Sequence, residues 1–214
     1  LVAEALPDAE ETIESVLATP GLGATLKSAF IELFTLWGLS YQQTTGNTGC
    51  SKADNAGLKC VFLKGSWARL QRLNRPAVIG LYDAVGNLNY GVVSAIDETS
   101  VSININGLRK QFAVNDFVAS WSGEIIALWR PPELRNRALK PGVKGADVTW
   151  LHSLLREIDG DQYSLSGDVY DEDLENRIKA FQRDNYLEID GVVGEQTLVH
   201  LLTASRAPGV PLLR

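Results

Sequence analysis

The chain has little of what metal centres and cofactor chemistry require. It contains 214 residues, with two histidines, two cysteines and no methionine. The histidine count excludes an HExxH zinc site and a three-histidine centre, and two cysteines are too few for a tetrathiolate site. A GxxxxGK[ST] phosphate-binding loop is also absent. We therefore expect no bound metal, no cofactor and no nucleotide hydrolysis.

Long apolar runs and an excess of positive charge are missing as well. The apolar runs are far shorter than the roughly 20 residues that cross a bilayer, so neither a membrane-spanning helix nor a signal peptide is predicted. The formal net charge is -6, which argues against nucleic acid as a partner. Because the chain begins at Leu1 and has no methionine, any export signal or membrane anchor is expected upstream of Leu1.

The first domain is predicted to contain helices followed by an antiparallel sheet. Apolar residues at helical spacing predict a helix over residues 24–37 and another after Ser66, and a helix is also predicted to begin at Pro7 and Asp8. The predicted strands are rich in valine and isoleucine and cover residues 76–82, 88–96, 99–105 and 124–130. A short helix is predicted over residues 115–120. This order of elements predicts an α+β domain.

A second domain follows a proline-rich boundary. We assign residues 1–132 to the first domain, 133–139 to a linker, 140–204 to the second domain and 205–214 to a C-terminal tail. The second domain shows three amphipathic segments, which predict a small three-helix domain. A core of roughly 65 residues is near the lower limit for independent folding.

The two cysteines have two competing interpretations. Cys50 and Cys60 are separated by nine residues, and a disulfide between them would contribute about 2–3 kcal/mol and indicate an oxidising compartment. Alternatively, Cys50 is a nucleophile, and Gln43 precedes it at about the distance where papain-like peptidases place an oxyanion-hole glutamine. That chemistry needs an imidazole to accept the thiol proton. The first domain contains no histidine, so we expect no catalytic residues in it.

The order of elements in the first domain resembles the peptidase domain of bacteriocin-processing exporters. The similarity is carried by the helix after the first cysteine, the strand NRPAVIGLY, two further strands and the closing segment FVASWSGEIIALWRPP. In that family a catalytic histidine opens the second strand and an aspartate follows on the third. Here Asn89 or Tyr90 holds the first position, and Asn104 or Asn106 holds the second. The resemblance implies a degenerate cysteine-peptidase-like fold in which the two cysteines are bonded to each other.

The second domain resembles the peptidoglycan-binding domain found at one end of many wall-active proteins. The resemblance rests on the spaced glycines and on the FQ, DG and VG pieces of FQRDNYLEIDGVVG. Stem peptides and acetylated sugars call for hydrogen-bonding groups beside an apolar wall. The candidate contacts are Gln182, Arg183, Tyr186, Asp190 and Thr197. For Asp190 and Thr197, turn geometry and helix capping offer a structural alternative.

The two domains together are similar to the periplasmic part of the general secretion pathway protein A family. The segments CSKADNAGLKC and GSWARLQRLNRPAVIGL add to that similarity. It implies a non-catalytic, peptidoglycan-binding part of a longer protein anchored in the inner membrane, which helps the secretin of a type II secretion system assemble across the cell wall. The implied partners are peptidoglycan, an inner-membrane protein of the same pathway and the secretin. The secretion context also favours a homo-oligomer.

The alternative function is a cell-wall hydrolase or peptidase that is targeted by the second domain. It would use Cys50, or the acidic cluster of residues 168–175, as its catalytic group. The cluster lies at a predicted helix N-terminus, where acidic side chains interact favourably with the helix dipole. Helix capping therefore explains most of the acidic residues in this cluster.

Overall fold

The computed structural model describes residues 11–214 and shows an α+β architecture. The helix predicted to begin at Pro7 and Asp8 starts outside the described residues. Helix α1 (Ile13–Leu17) begins after Thr12, whose hydroxyl oxygen accepts a hydrogen bond of 3.2 Å from the amide of Ser15. Within the described residues, no helix is long and apolar enough to cross a bilayer.

The rest of the first domain follows the predicted order of helices and then strands. Its elements are α2 (Leu26–Leu36), α3 (Gly49–Asn55), β1 (Lys59–Lys64), α4 (Trp67–Leu73), β2 (Ala77–Tyr82), β3 (Leu88–Ile96), β4 (Ser100–Ile105), β5 (Leu108–Ala113), α5 (Val114–Ser120) and β6 (Trp121–Trp129). The strands form one antiparallel sheet in the order β1-β6-β2-β3-β4-β5. The prediction missed β1 and β5, which are the two edge strands. Several of their residues are exposed and charged, so their apolar signal is weak.

The sheet separates two layers of apolar packing. On one face, α2 and α3 cover a cluster that includes Phe30, Phe34, Val78, Val92 and Leu128. On the other face, α1, α4 and α5 pack together with the second domain. Strands β2 and β6 lie inside the sheet, so most residues of β2 and of the second half of β6 are buried on both faces.

The second domain consists of three helices, as predicted. They are α6 (Ala146–Asp159), α7 (Glu172–Asp184) and α8 (Glu195–Ala204), with a short 3-10 turn at Gly160–Gln162. Their apolar faces do not close on a separate core. One continuous cluster of buried side chains runs from Leu73 and Ala77 in the first domain to Val199 and Leu201 in the second. The second domain therefore gains from the first much of the burial that so small a unit lacks alone.

The linker and the C-terminal tail are both packed against the domains. Leu139 is fully buried and forms a β-bridge with Val193. Within the linker, Asn136 donates its backbone amide and its side-chain amide to one carboxylate oxygen of Asp147, at 2.9 and 2.7 Å. These hydrogen bonds lower the pKa of Asp147. At the other end, Leu213 is buried and the chain returns to the first domain.

Candidate functional site

The two cysteines form the predicted disulfide. Cys50 lies in the first turn of α3, Cys60 lies on β1, and their Cα atoms are 5.6 Å apart. That separation is normal for a disulfide. The part of the chain that the structure describes has no free cysteine. The sulfur that would be the nucleophile of a peptidase is therefore covalently occupied.

Local sequence fixes the position of Cys50. Thr48 caps α3, because its hydroxyl oxygen accepts from the amide of Ser51 and the hydroxyl oxygen of Ser51 accepts from the amide of Thr48. The next residue, Gly49, lies beneath the ring of Phe30. A Cβ atom at Gly49 would come within 2.2 Å of that ring. Only glycine lets α2 pack this closely on the start of α3.

A cleft of about 1080 Å³ opens beside the disulfide. Its walls come from α2, from the loop before α3, from the first turns of α3 and from β1 and β6. The lining includes Leu26, Phe30, Ile31, Tyr41, Gln42, Cys50, Lys52, Phe62 and Ile126. The glutamine predicted from the sequence, Gln43, is exposed in the adjoining turn and does not line the cleft. Its neighbour Gln42 does line the cleft. The position assigned to Gln43 is therefore one residue away from the side chain that meets the cleft.

Of the positions that the resemblance assigns to the histidine and aspartate of active peptidases, Tyr90 and Asn104 lie under α2. Tyr90 packs against the apolar cluster beneath α2, whereas Asn89 points to the opposite side of β3 by strand alternation. On the neighbouring strand, Asn104 is paired with Val92, and its side-chain oxygen accepts a 2.9 Å hydrogen bond from the hydroxyl of Ser94. A phenol and an amide occupy these places. Neither accepts a thiol proton as an imidazole does.

The histidines lie in the second domain and are both buried. The Nδ1 atom of His152 lies 2.5 Å from the hydroxyl oxygen of Tyr163, and burial lowers the pKa of His152. Within residues 11–214, no group of three or more His, Cys, Asp or Glu side chains is placed to hold a metal ion.

The acidic cluster at the start of α7 has structural partners. The carboxylate of Asp171 accepts a 2.9 Å hydrogen bond from the amide of Leu174 and so caps the helix. Within α7, Glu175 forms an ion pair with Lys179. These contacts support the capping interpretation of the cluster.

Three of the five candidate wall-binding residues come together around the DG turn. Gln182 is only 1% exposed, and its Nε2 atom donates to Asp190 at 2.8 Å and to Thr197 at 3.2 Å. Its Oε1 atom accepts from the amide of Gly191 at 2.9 Å. These groups border a shallow depression of about 290 Å³. Gln182 therefore stabilises the turn, and both ends of its side-chain amide are hydrogen-bonded within the protein.

The other two candidates lie apart from that depression. Arg183 is exposed near the end of α7. Tyr186 is 58% exposed and has a left-handed backbone, with φ of 56°. Its side chain borders a different cavity, at the junction of the two domains. The predicted set therefore does not form one site: three residues border the depression, Tyr186 borders the second cavity, and Arg183 borders neither.

We call this second cavity the junction pocket. It has a volume of about 690 Å³ and lies between α4, α8 and the C-terminal tail. Its lining residues are Ala68, Gln71, Arg72, Asn74, Asn185, Tyr186, His200, Thr203, Ala204, Arg206, Leu212 and Arg214. No sequence pattern predicts this pocket, because its residues come from three separate segments of the chain.

Two buried cationic or titratable groups lie beneath the junction pocket. Arg75 is 1% exposed, and its guanidinium donates to the hydroxyl of Thr203 at 2.5 Å and to the carbonyl of Val199 at 3.2 Å. Burial lowers the pKa of Arg75 to about 10. His200 is also 1% exposed. Burial, together with the charges of Arg69 and Arg75, lowers the pKa of His200 to about 4, so its ring is neutral at pH 7.

Comparison with solved structures finds a protein that is similar over nearly the whole chain. It is the periplasmic domain of the EpsAB fusion protein of the Vibrio vulnificus type II secretion system, with a TM-score of 0.55 and 24% sequence identity. The match covers 92% of this chain and 96% of that one. This likeness shows a shared fold that includes both domains.

Two curated proteins are similar in sequence. General secretion pathway protein A of Aeromonas hydrophila is 29% identical over 182 residues, which are 85% of this chain and 32% of that protein. The putative general secretion pathway protein A of Escherichia coli (strain K12) is 28% identical over 170 residues, which are 79% of this chain and 34% of that protein. The chain therefore spans about a third of the length of these curated relatives.

Two family models match separate parts of the chain. Residues 144–201 match the family described as a putative peptidoglycan binding domain. Residues 19–131, more than half of the chain, match the family described as GspA, peptidase C39-like domain. The chain belongs to the family of GspA peptidase C39-like domains.

Proposed function

We propose that this chain is the non-catalytic, peptidoglycan-binding periplasmic part of a type II secretion assembly factor. One observation carries the proposal: a domain matching a peptidoglycan-binding family is packed against a peptidase-like domain whose Cys50 is bonded to Cys60. The first domain supplies the fold of a peptidase without its chemistry. The second supplies the contact with the wall.

The chemistry of the cleft supports a non-catalytic role in two independent ways. Thiol catalysis needs a thiolate, and the sulfur of Cys50 is held in a disulfide. Reduction alone would not restore activity, because the first domain has no histidine to accept the thiol proton. Both requirements would have to be met before the cleft could cleave a peptide.

The relatives supply the cellular setting of the proposal. The curated relatives are named for the general secretion pathway, and the similar solved structure is a periplasmic domain of a type II secretion system. On this basis the chain works in the periplasm as part of a longer membrane-anchored protein. There it binds peptidoglycan and cooperates with an inner-membrane protein of the pathway, so that the secretin assembles across the wall. Self-association of the chain would give it several wall contacts at once.

Co-sedimentation with purified peptidoglycan sacculi tests the wall contact. We compare the wild-type chain with Tyr186→Asn, since asparagine tolerates the left-handed backbone of this position and removes the aromatic ring. The matched control is Tyr82→Asn, because Tyr82 is also an exposed tyrosine but lies in the first domain. We expect the wild type and the control to pellet with sacculi and Tyr186→Asn to pellet less. A wild-type chain that stays in the supernatant would contradict the proposal.

The role in secretin assembly is tested in cells. A strain whose protein carries Tyr186→Asn should contain fewer secretin multimers in its membranes than strains with the wild type or Tyr82→Asn. The amount of the protein itself should be equal in the three strains, as measured by immunoblotting. Normal secretin multimers in the absence of wall binding would separate the two functions and contradict the proposed link.

A further inference from the structure

We propose that the junction pocket binds a free carboxylate of a peptidoglycan stem peptide. The assignment of the ligand to peptidoglycan rests on the proposed function. The assignment of a carboxylate rests on the charges and the unpartnered groups of the pocket itself.

The rim of the junction pocket is cationic. Arg72, Arg206 and Arg214 line it, and its lining contains no aspartate or glutamate side chain. Among residues 11–214, none of these three arginines forms a salt bridge. This concentration of positive charge is unusual for a chain whose net charge is -6. Guanidinium groups bind carboxylates through paired hydrogen bonds, so the rim favours a ligand that carries one.

Polar groups without partners lie at the floor of the pocket and directly beneath it. Both ring nitrogens of His200 are buried and have no hydrogen-bond partner among the described residues, and the same is true of the Nη1 atom of Arg75. Buried polar groups are normally paired, and an unpaired buried cation is especially unfavourable. His200 lines the pocket. Its neutral ring has one N–H that can donate to a ligand carboxylate, while the buried charge of Arg75 lies beside it.

The remaining lining suits a peptide. The side-chain oxygen of Asn74 accepts from the amide of Arg214, and the side-chain nitrogen of Asn185 donates to the carbonyl of Phe181. The nitrogen of Asn74 and the oxygen of Asn185 can pair with peptide groups, and Tyr186 adds an exposed aromatic ring. The volume of about 690 Å³ lies in the usual range for small-ligand sites. A stem peptide combines amides with free carboxylates, which matches both parts of the lining. The pocket also brings together the first domain and Tyr186, the aromatic member of the predicted wall-binding set.

Binding of soluble muramyl peptides to the intact chain tests the assignment. The ligands are an N-acetylmuramyl tetrapeptide with free carboxylates and the same compound with its carboxylates amidated. The pocket variant is the double substitution Arg72→Gln with Arg206→Gln. The control is Arg109→Gln with Arg137→Gln, which removes the same charge from exposed positions outside the pocket and outside the candidate wall-binding set. Because all four side chains are exposed, each variant should keep the melting temperature of the wild type.

We expect calorimetry to show three results. The wild type should bind the free-acid peptide at least tenfold more tightly than the amidated one. The pocket variant should lose at least tenfold in affinity for the free acid, and the control should retain it. Equal affinity of the wild type for the two peptides, or equal affinity of the two variants, would overturn the assignment. Inorganic phosphate that displaced the peptide as effectively as a second portion of free-acid peptide would overturn the peptide assignment.

Failure of this inference can be told apart from failure of the proposed function. If the wild type pellets with sacculi but the pocket variant pellets equally well and binds the soluble peptide unchanged, the pocket assignment is wrong and the proposed function stands. If the wild type does not pellet yet shows the expected carboxylate-dependent binding, the pocket assignment stands and the wall-binding function is wrong.

Discussion

The Nε atom of Arg75 lies 2.5 Å from the hydroxyl oxygen of Thr203, so a buried guanidinium of the first domain is hydrogen-bonded to the last helix of the second. The same guanidinium donates to the carbonyl of Val199. Together with the shared apolar core, this contact makes the two domains one packed unit. Removing the chain after Pro132 would expose much of that core. Point variants therefore test the function better than a truncation at the predicted boundary.

The Arg75 contact predicts a stability effect at Thr203. The substitution Thr203→Val keeps the shape of the side chain and removes the oxygen that accepts from Arg75. We expect a loss of about 1–3 kcal/mol in the free energy of unfolding, since a buried charged donor loses its partner. Urea denaturation measures this value. The matched control is Thr35→Val, because the hydroxyl of Thr35 bonds only the carbonyl of Ile31 in its own exposed turn. Equal losses for the two variants would contradict the role of the junction.

The disulfide predicts both a thiol count and a stability effect. The native chain without reductant should show no titratable thiol, because Cys50 and Cys60 are bonded. Replacing both with serine should lower the free energy of unfolding by about 2–3 kcal/mol, as expected for a ring of this size. Thiol titration and chemical denaturation check the two values. A reactive thiol in the native protein would return Cys50 to the list of candidate nucleophiles.

The burial of His200 predicts a pH dependence of stability. Its pKa falls to about 4 in the folded protein, below its ordinary value near 6.5. Between these two values the unfolded chain binds a proton that the folded chain does not, so stability falls as the pH is lowered from 6.5 to 4. The loss from this residue is roughly 3 kcal/mol at most, from about 1.4 kcal/mol for each pH unit.

The measurement is the free energy of unfolding of the wild type and of His200→Gln between pH 4 and 7. Carboxylates titrate in both proteins, so their contribution cancels in the difference. The difference between the two proteins should change with pH over this window. A constant difference would contradict the buried, neutral state of His200.

The hydrogen bonds of Gln182 predict that this residue serves the fold. Gln182→Leu leaves the amide of Gly191 without its acceptor, so we expect a loss of about 1–3 kcal/mol in the free energy of unfolding. Wall binding per folded molecule should be unchanged. The control is Gln43→Leu, because Gln43 is exposed in a turn and should tolerate the change. A stable Gln182→Leu protein that has lost wall binding would show that Gln182 contacts the ligand.

Strong local patterns made much of the fold predictable. The three helices of the second domain and the central strands of the sheet carry regular apolar spacing, and the structure has them. The edge strands β1 and β5 were missed because charged residues interrupt their apolar pattern. The predicted disulfide followed from the resemblance and is present.

The candidate sites were less predictable, because they depend on tertiary packing. The sequence shows that Gln182 is polar, but only the fold shows that it is buried and hydrogen-bonded to Asp190. In a strand, the alternation of side chains predicts that Tyr90 and Asn89 face opposite sides of the sheet. A turn has no such alternation, so the sequence does not predict that Gln42 rather than Gln43 lines the cleft. The junction pocket joins α4, α8 and the tail, and its key groups Arg75 and His200 are separated by more than a hundred residues. No local pattern could have linked them.

Incubation of the purified chain with sacculi, followed by centrifugation and analysis of both fractions, tests the central claim most directly. The claim is that the chain binds peptidoglycan and does not cleave it. The account predicts that the protein is found in the pellet and that no muropeptides are released into the supernatant, with or without reductant. Protein that remains in the supernatant, or released fragments that disappear with Cys50→Ser, would contradict the account.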